Sequence, residues 1–486
     1  MIKVLMVASE AAPFAKTGGL ADVVGALPAA LRDAGCEVAV LMPRYRRIEM
    51  TGARRVYDSL PIWLGGNLYE TSIYQADAGT TFYFLEAPSL YDRDGLYGDA
   101  SGDYPDNAVR FAVLSRAALA VARRVFRPQI LHCHDWQTAL APVYLRRLFS
   151  GDPTFLGMKT VFTIHNLGYQ GLFPANVLPQ VGLDKSLFTT DALEFYGQVN
   201  LLKGGLVFSD ALTTVSKGYA AEIQTAEYGF GLDGVLRMRS ADLYGILNGV
   251  DYRDWNPAAD PHLTAHYSAQ DLSGKRECKK DLLREFGLPE AALERPLLGV
   301  VSRLASQKGT DLILDAAPQI AADGLYLVAL GAGDGAYEAR LREVAAAHPD
   351  HIRVEIGYDE CLAHKIEAGA DIFLMPSRYE PSGLNQMYSL RYGTIPVVRA
   401  TGGLDDTIDE GTGFKFREYS APALLAAIRE ASAAFEKRPV WEAMMRRGML
   451  KDFSWRSSAA EYAALYRKLL DVSGNGLHPF GGNKIK

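Results

Sequence analysis

Short apolar runs alternate with longer amphipathic stretches along the whole chain. The run Ile2–Ser9, "IKVLMVAS", has the continuous apolar character of a buried strand. A helix is predicted soon after it, because apolar side chains recur at helical spacing at Leu20, Val23, Val24 and Leu27. Strands that alternate with helices in this way are typical of βαβ units and a mainly parallel sheet.

The second half of the chain repeats this alternation, and a stretch rich in Gly, Asn, Asp and Pro, Tyr244–Pro257, separates the two halves. At 486 residues the chain is also too long for a single hydrophobic core. We therefore predict an α/β fold with two Rossmann-like, doubly wound domains that face each other across a cleft. Their predicted limits are residues 1–245 and 246–455, followed by a helix over 456–473 that crosses back to the first domain and a mobile tail over 474–486.

The net charge and the spacing of the cysteines exclude some classes of function. The formal net charge of −6 argues against nucleic-acid binding, which needs a basic face. The four cysteines lack the spacing of metal sites or redox motifs, so we expect reduced thiols in a cytoplasmic protein. The chain has no run of about 18 apolar residues, so no membrane span is predicted, and Glu10 interrupts the first apolar run too early for a signal peptide.

Charged residues follow several predicted strands, where open α/β sheets bind their ligands. Lys16 and two glycines, "KTGGL", follow the first strand and indicate either a tight turn or a binding loop. Arg303 and Lys308 follow the first strand of the second half, where two cations can clamp a diphosphate or remain ordinary surface charges. Glu380 lies in "RYEPSGL" beside a helix start, where an acidic residue either stabilises the helix or binds sugar hydroxyls.

Other features also have both a functional and a structural interpretation. His165 in "TIHN" lies at a strand end, although a lone histidine is more often structural than catalytic. Tyr358 follows the strand "HIRVEIG" and can stack on a base or pack in a core. His132 and His134 share one face of a strand, as metal ligands can, but no third ligand is evident and no metal site is predicted. The segment "LGAGDG" lacks the G-x-G-x-x-G spacing of nicotinamide-binding proteins, which disfavours an oxidoreductase.

Taken together, these motifs resemble those of the bacterial glycogen synthases and plant starch synthases. The matching segments, in family order, are "KTGGLADVVGALP", "HCHDWQTAL", "TIHNLGYQG", "ILNGVDYRDWNP", "SRLASQKGTD", "RYEPSGLNQMYSLRYGTIPVVRATGGLDDT" and "DFSWRSSAAEYAALYRKLL". The resemblance implies the two-domain GT-B glycosyltransferase architecture. It also implies transfer of glucose from ADP-glucose to the non-reducing end of an α-1,4-glucan, glycogen or a maltooligosaccharide, without a cofactor or a metal.

The resemblance further implies roles for individual residues, with the acceptor bound mainly by the first domain and the nucleotide sugar by the second. The implied catalytic residues are Glu380, Arg303, Lys308, His165 and Asp135. The implied nucleotide-sugar-binding residues are Lys16, Gly18, Gly19, Asp22, Tyr358, Gly383 and Leu384. Contacts to the sugar or the acceptor are implied for Asn166, Asn248 and Tyr97.

One position departs from the family pattern, because Ser382 stands where the family usually has a cysteine. A thiol at this position is therefore not essential, and thiol reagents should not inactivate the protein through it. The family retains the α configuration of the transferred glucose. Double displacement would need a carboxylate nucleophile about 5–5.5 Å from its partner, by analogy with glycosidases, and Asp135 and Glu380 are the candidates. We favour front-side attack, in which the departing phosphate takes the acceptor proton.

The motifs are also compatible with two alternative functions, the first in a related enzyme and the second in a different class of protein. A related glucosyltransferase of the sucrose synthase type would use UDP-glucose, and a competition assay between the two donors separates these possibilities. A non-catalytic glucan-binding protein on the same fold should lack one or more of the charged residues that the reaction needs. Those residues, Lys16, Arg303, Lys308 and Glu380, are all present.

Overall fold

The chain forms two compact units in a computed structural model that describes residues 1–99 and 101–471. Unit 1 comprises Met1–Val215, Ala220–Gly249 and the described chain from Trp455 to Asp471. Unit 2 comprises Ser216–Tyr219 and Val250–Ser454. The tail predicted over residues 474–486 lies outside the described residues.

A nine-stranded sheet forms the centre of unit 1. In spatial order its strands are Leu243–Gly245, Ala211–Thr214, Lys159–Ile164, Ile130–His134, Ile2–Val7, Cys36–Pro43, Thr81–Glu86, Ser72–Asp77 and Arg54–Tyr57. The first seven pair in parallel, and the last two are added by antiparallel pairing. Residues 4–7 at the centre are fully buried, as expected for an apolar strand that is covered on both faces.

Smaller sheets and helices complete unit 1. The smaller sheets are the three-stranded sheet Leu172–Pro174, Gln198–Asn200 and Glu194–Phe195, the hairpin Ile62–Leu64 and Asn67–Tyr69, and the hairpin Gly98–Asp99 and Gly102–Asp103. The α-helices are Gly19–Asp33, Pro88–Tyr91, Asn107–Val121, Leu140–Leu148, Val177–Gln180, Leu201–Phe208, Asp233–Met238 and Trp455–Asp471. The last of these packs against Gly19–Asp33, so the end of the described chain belongs to the same unit as its beginning.

Unit 2 contains a six-stranded sheet whose strands are all parallel. In spatial order they are Ile352–Ile356, Tyr326–Gly331, Leu297–Val301, Ile372–Met375, Ile395–Arg399 and Phe414–Phe416. The α-helices are Ser273–Glu285, Thr310–Ala322, Gly335–Ala347, Glu360–Gly369, Asn385–Arg391, Gly402–Thr407, Ala421–Phe435 and Arg438–Met449, and Lys217–Glu222 begins in unit 2 and ends in unit 1. Leu298 packs with Leu327 in one core cluster, whereas Leu297 packs with Val328 in another. Because neighbouring residues of a strand point to opposite faces, the sheet has an apolar core on both sides.

Short helical turns join several of these elements. The 3₁₀ turns are Trp136–Thr138, Pro153–Phe155, Lys185–Leu187, Ser240–Asp242, Glu290–Glu294 and Ser306–Lys308, and the π-helical turn is Ala122–Phe126. The predicted α/β class, with two units that each contain a mainly parallel sheet, is confirmed. Over the described ranges, no helix combines the length and the apolar character that crossing a membrane requires.

Candidate active site

Three adjacent strands of unit 1 end at the same edge of the sheet. Ile2–Val7 lies beside Ile130–His134, which in turn lies beside Lys159–Ile164, and all three run parallel. Glu10 and the "KTGGL" loop follow the first strand, Asp135 follows the second, and His165 follows the third. The sequence therefore collects these side chains at the carboxyl edge, where α/β sheets bind ligands.

Buried Glu10 organises the "KTGGL" loop. Its carboxylate accepts hydrogen bonds from the backbone N–H of Thr17 and from the Thr17 hydroxyl, the latter at 2.7 Å. The Tyr97 hydroxyl donates to the same carboxylate at 2.5 Å. A Cβ added at Gly18 or Gly19 would meet no atom of the described chain within 4 Å. Packing therefore does not require either glycine, and both leave room for a ligand to approach the backbone.

Lys16 lies at the exposed rim of this loop. Its ammonium group is 2.6 Å from the carboxylate of Asp22, in the first turn of the helix Gly19–Asp33. Both side chains are accessible to solvent, so the pair contributes little to stability. Lys16 can therefore exchange Asp22 for an anionic ligand at small cost.

Asp135 and His165 are joined by a backbone contact at the next two strand ends. Asp135 has a φ of 55°, a left-handed conformation that is uncommon outside glycine and is typical of functional sites. Its carboxylate accepts a hydrogen bond of 2.7 Å from the backbone N–H of His165. The His165 Nε2 atom lies 3.0 Å from His134 Nδ1, so one ring donates and the other accepts. The ring of His134 stacks on that of His132 at 4.2 Å between centroids.

Burial sets the protonation of this cluster. It raises the pKa of Asp135 to about 7, and the nearby charge of Glu10 raises it further, against the hydrogen bonds from the backbone of His165 and Asn166. Burial lowers the pKa of His165 to about 3, so its imidazole is neutral at pH 7. Neutral rings and a partly protonated carboxyl group suit hydrogen bonding to sugar hydroxyls better than binding of a phosphate.

In unit 2, a lysine and a glutamate meet at the ends of adjacent strands. Lys308 follows Leu297–Val301 and Glu380 follows Ile372–Met375, two strands that pair in parallel. Lys308 Nζ donates to Glu380 Oε2 at 2.6 Å, and the Ser377 hydroxyl donates to the same oxygen at 3.1 Å. Glu380 is only 4% exposed. Within residues 1–99 and 101–471, Oε1 of Glu380 has no hydrogen-bond partner and is available to a ligand.

Glycines allow the loops around Glu380 to pack tightly. Gly309, next to Lys308, has a φ of 73°, and a Cβ there would lie 2.1 Å from the carbonyl oxygen of Pro376. Gly383 has a φ of 66° and precedes the helix Asn385–Arg391. The backbone N–H of Gly403 donates to the carbonyl of Glu380 at 3.0 Å. These contacts hold the loop that carries Glu380 in one conformation.

Two family models match the chain. The starch synthase catalytic domain matches residues 3–238, and glycosyl transferases group 1 match residues 286–444. A glycogen synthase of Koribacter versatilis (strain Ellin345) is 52% identical over 474 residues, which cover 96% of this chain and 98% of that protein. The chain belongs to the starch and glycogen synthase family.

Other members of the starch and glycogen synthase family agree with this result. A glycogen synthase of Anaeromyxobacter dehalogenans (strain 2CP-C) is 52% identical over 478 residues, covering 96% of this chain and all of that one. The solved catalytic domain of starch synthase IV from Arabidopsis thaliana, bound to ADP and acarbose, has a TM-score of 0.88 and 36% identity, covering 97% of this chain and 99% of that one. The protein is thus a glycosyltransferase of the starch and glycogen synthase type, with the two-domain GT-B architecture.

Of the remaining residues implied by the family resemblance, two in unit 2 are exposed, whereas those of unit 1 are hydrogen-bonded or buried. Arg303 is exposed, and nothing in the described part of the chain forms a hydrogen bond or ion pair with its side chain. Tyr358 is 85% exposed just beyond the strand Ile352–Ile356. In unit 1, Asn166 Oδ1 accepts a bond from the Gly168 backbone at 3.0 Å. Buried Asn248 has an Oδ1 atom without a partner among the described residues.

Sequence reasoning assigned no role to two residues that shape these sites. Glu10 holds the "KTGGL" loop, and Ser377 holds Glu380. His134, which the sequence analysis did single out, holds His165. A signal existed for Glu10, because a single acidic residue interrupts the apolar run directly before the loop. The histidines of "HCHDW" do share a face, as predicted, but no group of three or more metal-ligating side chains occurs in residues 1–99 and 101–471.

Proposed function

We propose that the protein transfers glucose from ADP-glucose to the non-reducing end of an α-1,4-glucan and so elongates glycogen. The observation that carries the proposal is the Lys308–Glu380 pair, which presents one unpartnered carboxylate oxygen beside a cation. That arrangement suits a sugar whose anomeric carbon bears a diphosphate. ADP is bound in the solved structure of the Arabidopsis relative, which supports an adenine nucleotide as the leaving group here.

Cations of unit 2 stabilise the departing diphosphate in this proposal. Negative charge develops on the leaving group as the glycosidic bond breaks, and stabilising such charge is usually the largest catalytic effect. Arg303 and Lys308 supply positive charge, and the backbone N–H groups of Gly383 and Leu384 supply further donors. Exposed Arg303 has no competing partner among the described residues, so its guanidinium can turn to the diphosphate. Because cations do this work, we expect activity to persist in EDTA.

Glu380 orients the donor glucose. Its Oε2 atom is held by Lys308 and Ser377, so the carboxylate cannot rotate freely. Its Oε1 atom accepts a hydrogen bond from a glucose hydroxyl. Tyr358, which is exposed, stacks on adenine.

Unit 1 supplies the remaining contacts in the proposal. Lys16 and the open backbone at Gly18 and Gly19 contact the donor's phosphate, and Asp22 lies near the adenosine. The neutral polar cluster contacts the transferred sugar and the acceptor. The residues proposed for that cluster are His165, Asp135, Asn166, Asn248 and Tyr97.

The reaction proceeds by front-side attack in this proposal, and the departing phosphate takes the proton of the acceptor hydroxyl. Retention then needs no covalent intermediate, unlike double displacement on a carboxylate. Trapping a glucosyl ester on Asp135 or Glu380 would overturn this mechanism. Incubation with a slow fluorinated donor, followed by intact-protein mass spectrometry, makes the test.

The deciding experiment measures ADP release from ADP-glucose in the presence of glycogen. We expect release that depends on glycogen, persists in an excess of UDP-glucose and falls sharply in Glu380→Ala. Absence of release from the intact protein would refute the proposal, and inhibition by equimolar UDP-glucose would assign a different donor. The four cysteines are unpaired, which supports the proposed cytoplasmic location.

A further inference from the structure

Two exposed aromatic residues of unit 1 occupy strained backbone positions. Tyr196 has a φ of 48° and is 79% exposed, and Phe230 has a φ of 47° and is 40% exposed. Each is followed by a glycine whose φ is also positive, 81° at Gly197 and 82° at Gly231. Bulky residues rarely adopt this conformation, and such strain persists where the surroundings enforce it.

Tyr196 occupies a turn position that other residues fill better. Phe195 and Gln198 pair across the antiparallel ladder, so Tyr196 and Gly197 form a two-residue hairpin turn. With both central residues at positive φ the turn is of the type that prefers Asn-Gly. A tyrosine there costs stability and exposes a ring to water, so packing does not explain its presence.

The two aromatic–glycine corners lie against each other. A Cβ added at Gly231 would lie 2.9 Å from the Phe195 ring and 3.1 Å from the Tyr196 ring. The Phe195 and Tyr196 rings meet edge to face at 4.7 Å between centroids. Gly231 therefore lets the turn at Tyr196 approach the backbone beside Phe230. The aromatic residues of these two adjoining corners, Phe195, Tyr196 and Phe230, are here called the aromatic platform.

Hydrogen bonds connect the aromatic platform to the strand-end cluster of the same unit. The Gln170 side chain donates to the carbonyl of Phe230 at 3.1 Å and accepts from Asn200 at 2.6 Å. Gln170 is four positions after Asn166 in the loop that follows His165. A hydrogen bond therefore links the backbone of Phe230 to the loop that carries residues proposed to contact sugar.

We propose that the aromatic platform binds the acceptor α-1,4-glucan at glucose units remote from its reacting end. Glucose rings have an apolar C–H face and polar edges, and an exposed aromatic ring offers a matching flat surface. The polymer extends away from its non-reducing end, so a second contact region raises affinity by tethering it. The inference rests on the proposed function, because it takes the acceptor of that reaction as the occupant.

Asparagine substitutions remove the rings and keep the left-handed backbone, which asparagine tolerates. In the double variant Tyr196→Asn/Phe230→Asn, the dissociation constant for glycogen in affinity electrophoresis should rise about tenfold. The Michaelis constant for ADP-glucose with maltotriose as acceptor should stay within about twofold of wild type. Tyr196→Trp should keep wild-type glycogen binding, because a ring remains.

The matched control is Trp63→Ser, which removes another exposed aromatic ring of unit 1, 63% exposed on the hairpin Ile62–Leu64 and Asn67–Tyr69. It should leave glycogen binding unchanged. Unchanged glycogen binding in the double variant, or equal weakening by Trp63→Ser, would refute the proposal that the aromatic platform binds glucan. If the wild-type protein binds glycogen but releases no ADP, the proposed function is refuted. The dissociation constants of the variants still show whether the aromatic platform binds glycogen.

Discussion

Lys308 and Glu380 form an ion pair of 2.6 Å between two adjacent parallel strands of unit 2. Both side chains are largely buried, and a second donor, Ser377, fixes the same carboxylate oxygen. Each charge compensates the other in a site with limited access to water, so removal of either partner leaves a buried charge unpaired. The pair therefore orients Glu380 and keeps Lys308 in place before any ligand arrives.

Replacement of Glu380 by glutamine tests the charge while keeping the shape. We expect the turnover number for ADP release to fall about a hundredfold, since an oriented charge beside the reacting carbon is lost. Lys308→Met should cause a similar loss, and the double variant should lose much less than the product of the two, because the residues act as a unit. Glu418→Gln, on an exposed residue of the same unit, is the control and should retain activity. Independent, multiplicative losses would contradict a coupled pair.

Lys16→Gln tests whether the "KTGGL" loop binds the donor. Loss of one charged hydrogen bond to phosphate should raise the Michaelis constant for ADP-glucose about tenfold and leave that for glycogen nearly unchanged. Steady-state kinetics with each substrate varied in turn measures both constants. Lys185→Gln, at another exposed lysine of unit 1, should change neither. If Lys16→Gln leaves the donor constant unaltered, the loop is only a turn.

The raised pKa of Asp135, about 7 against an ordinary 3.8, links folding to pH. Below about pH 4 the carboxyl group is protonated in both states. Between there and pH 7 the folded protein keeps a proton that the unfolded chain has released, so this group's contribution to the free energy of unfolding falls as the pH rises. The slope is at most about 1.4 kcal/mol per pH unit and vanishes above the folded pKa.

Asp135→Asn should remove that dependence. Denaturant unfolding of both proteins from pH 4.5 to 8 should show the variant gaining stability relative to wild type up to about pH 7 and no further change above it. Subtracting the free energy of unfolding of wild type from that of the variant at each pH cancels the contributions of the other titrating groups. Asp58→Asn, on an exposed side chain, should give a flat difference. A flat difference for Asp135→Asn as well would show that this carboxyl group ionises normally.

Thiol reagents should react with one cysteine of the folded protein. Cys361 is exposed, whereas Cys36, Cys133 and Cys278 are buried, and burial raises the pKa of each of these three thiols. Titration with a disulfide reagent should therefore count one fast thiol in buffer and four in guanidinium. Because Ser382 replaces the usual family cysteine, Cys361→Ser should keep its activity during the same treatment. Rapid inactivation of that variant would show that a buried thiol is accessible.

The regular elements follow from local patterns, whereas the contacts around the site do not. Apolar continuity predicts the strand Ile2–Val7, and helical spacing predicts the helix Gly19–Asp33. The role of Glu10 depends on Tyr97, which is 87 positions away and reaches it only in the folded chain. Periodicity carries no information about such a pairing.

Sequence patterns also do not predict the backbone conformations at the site. Asp135 adopts a positive φ although it is not a glycine, because the surrounding structure overrides local preference. Motifs alone do not show which loops lie side by side, whereas the order of the strands in the sheet does. The loops at Glu10, Asp135 and His165 are not adjacent in the sequence, yet they follow strands that are neighbours in one sheet.

The helix Trp455–Asp471 joins unit 1 after the chain has passed through all of Val250–Ser454. Its Tyr466 hydroxyl bonds to His132 at 2.8 Å, and its neighbour Arg467 bonds to the carbonyl of Ala34 at 3.3 Å. During translation, the first unit to leave the ribosome therefore lacks one of its core helices until the second unit has been synthesised. Unit 1 begins folding first and is completed last, so a nascent chain must keep an apolar surface covered while unit 2 emerges.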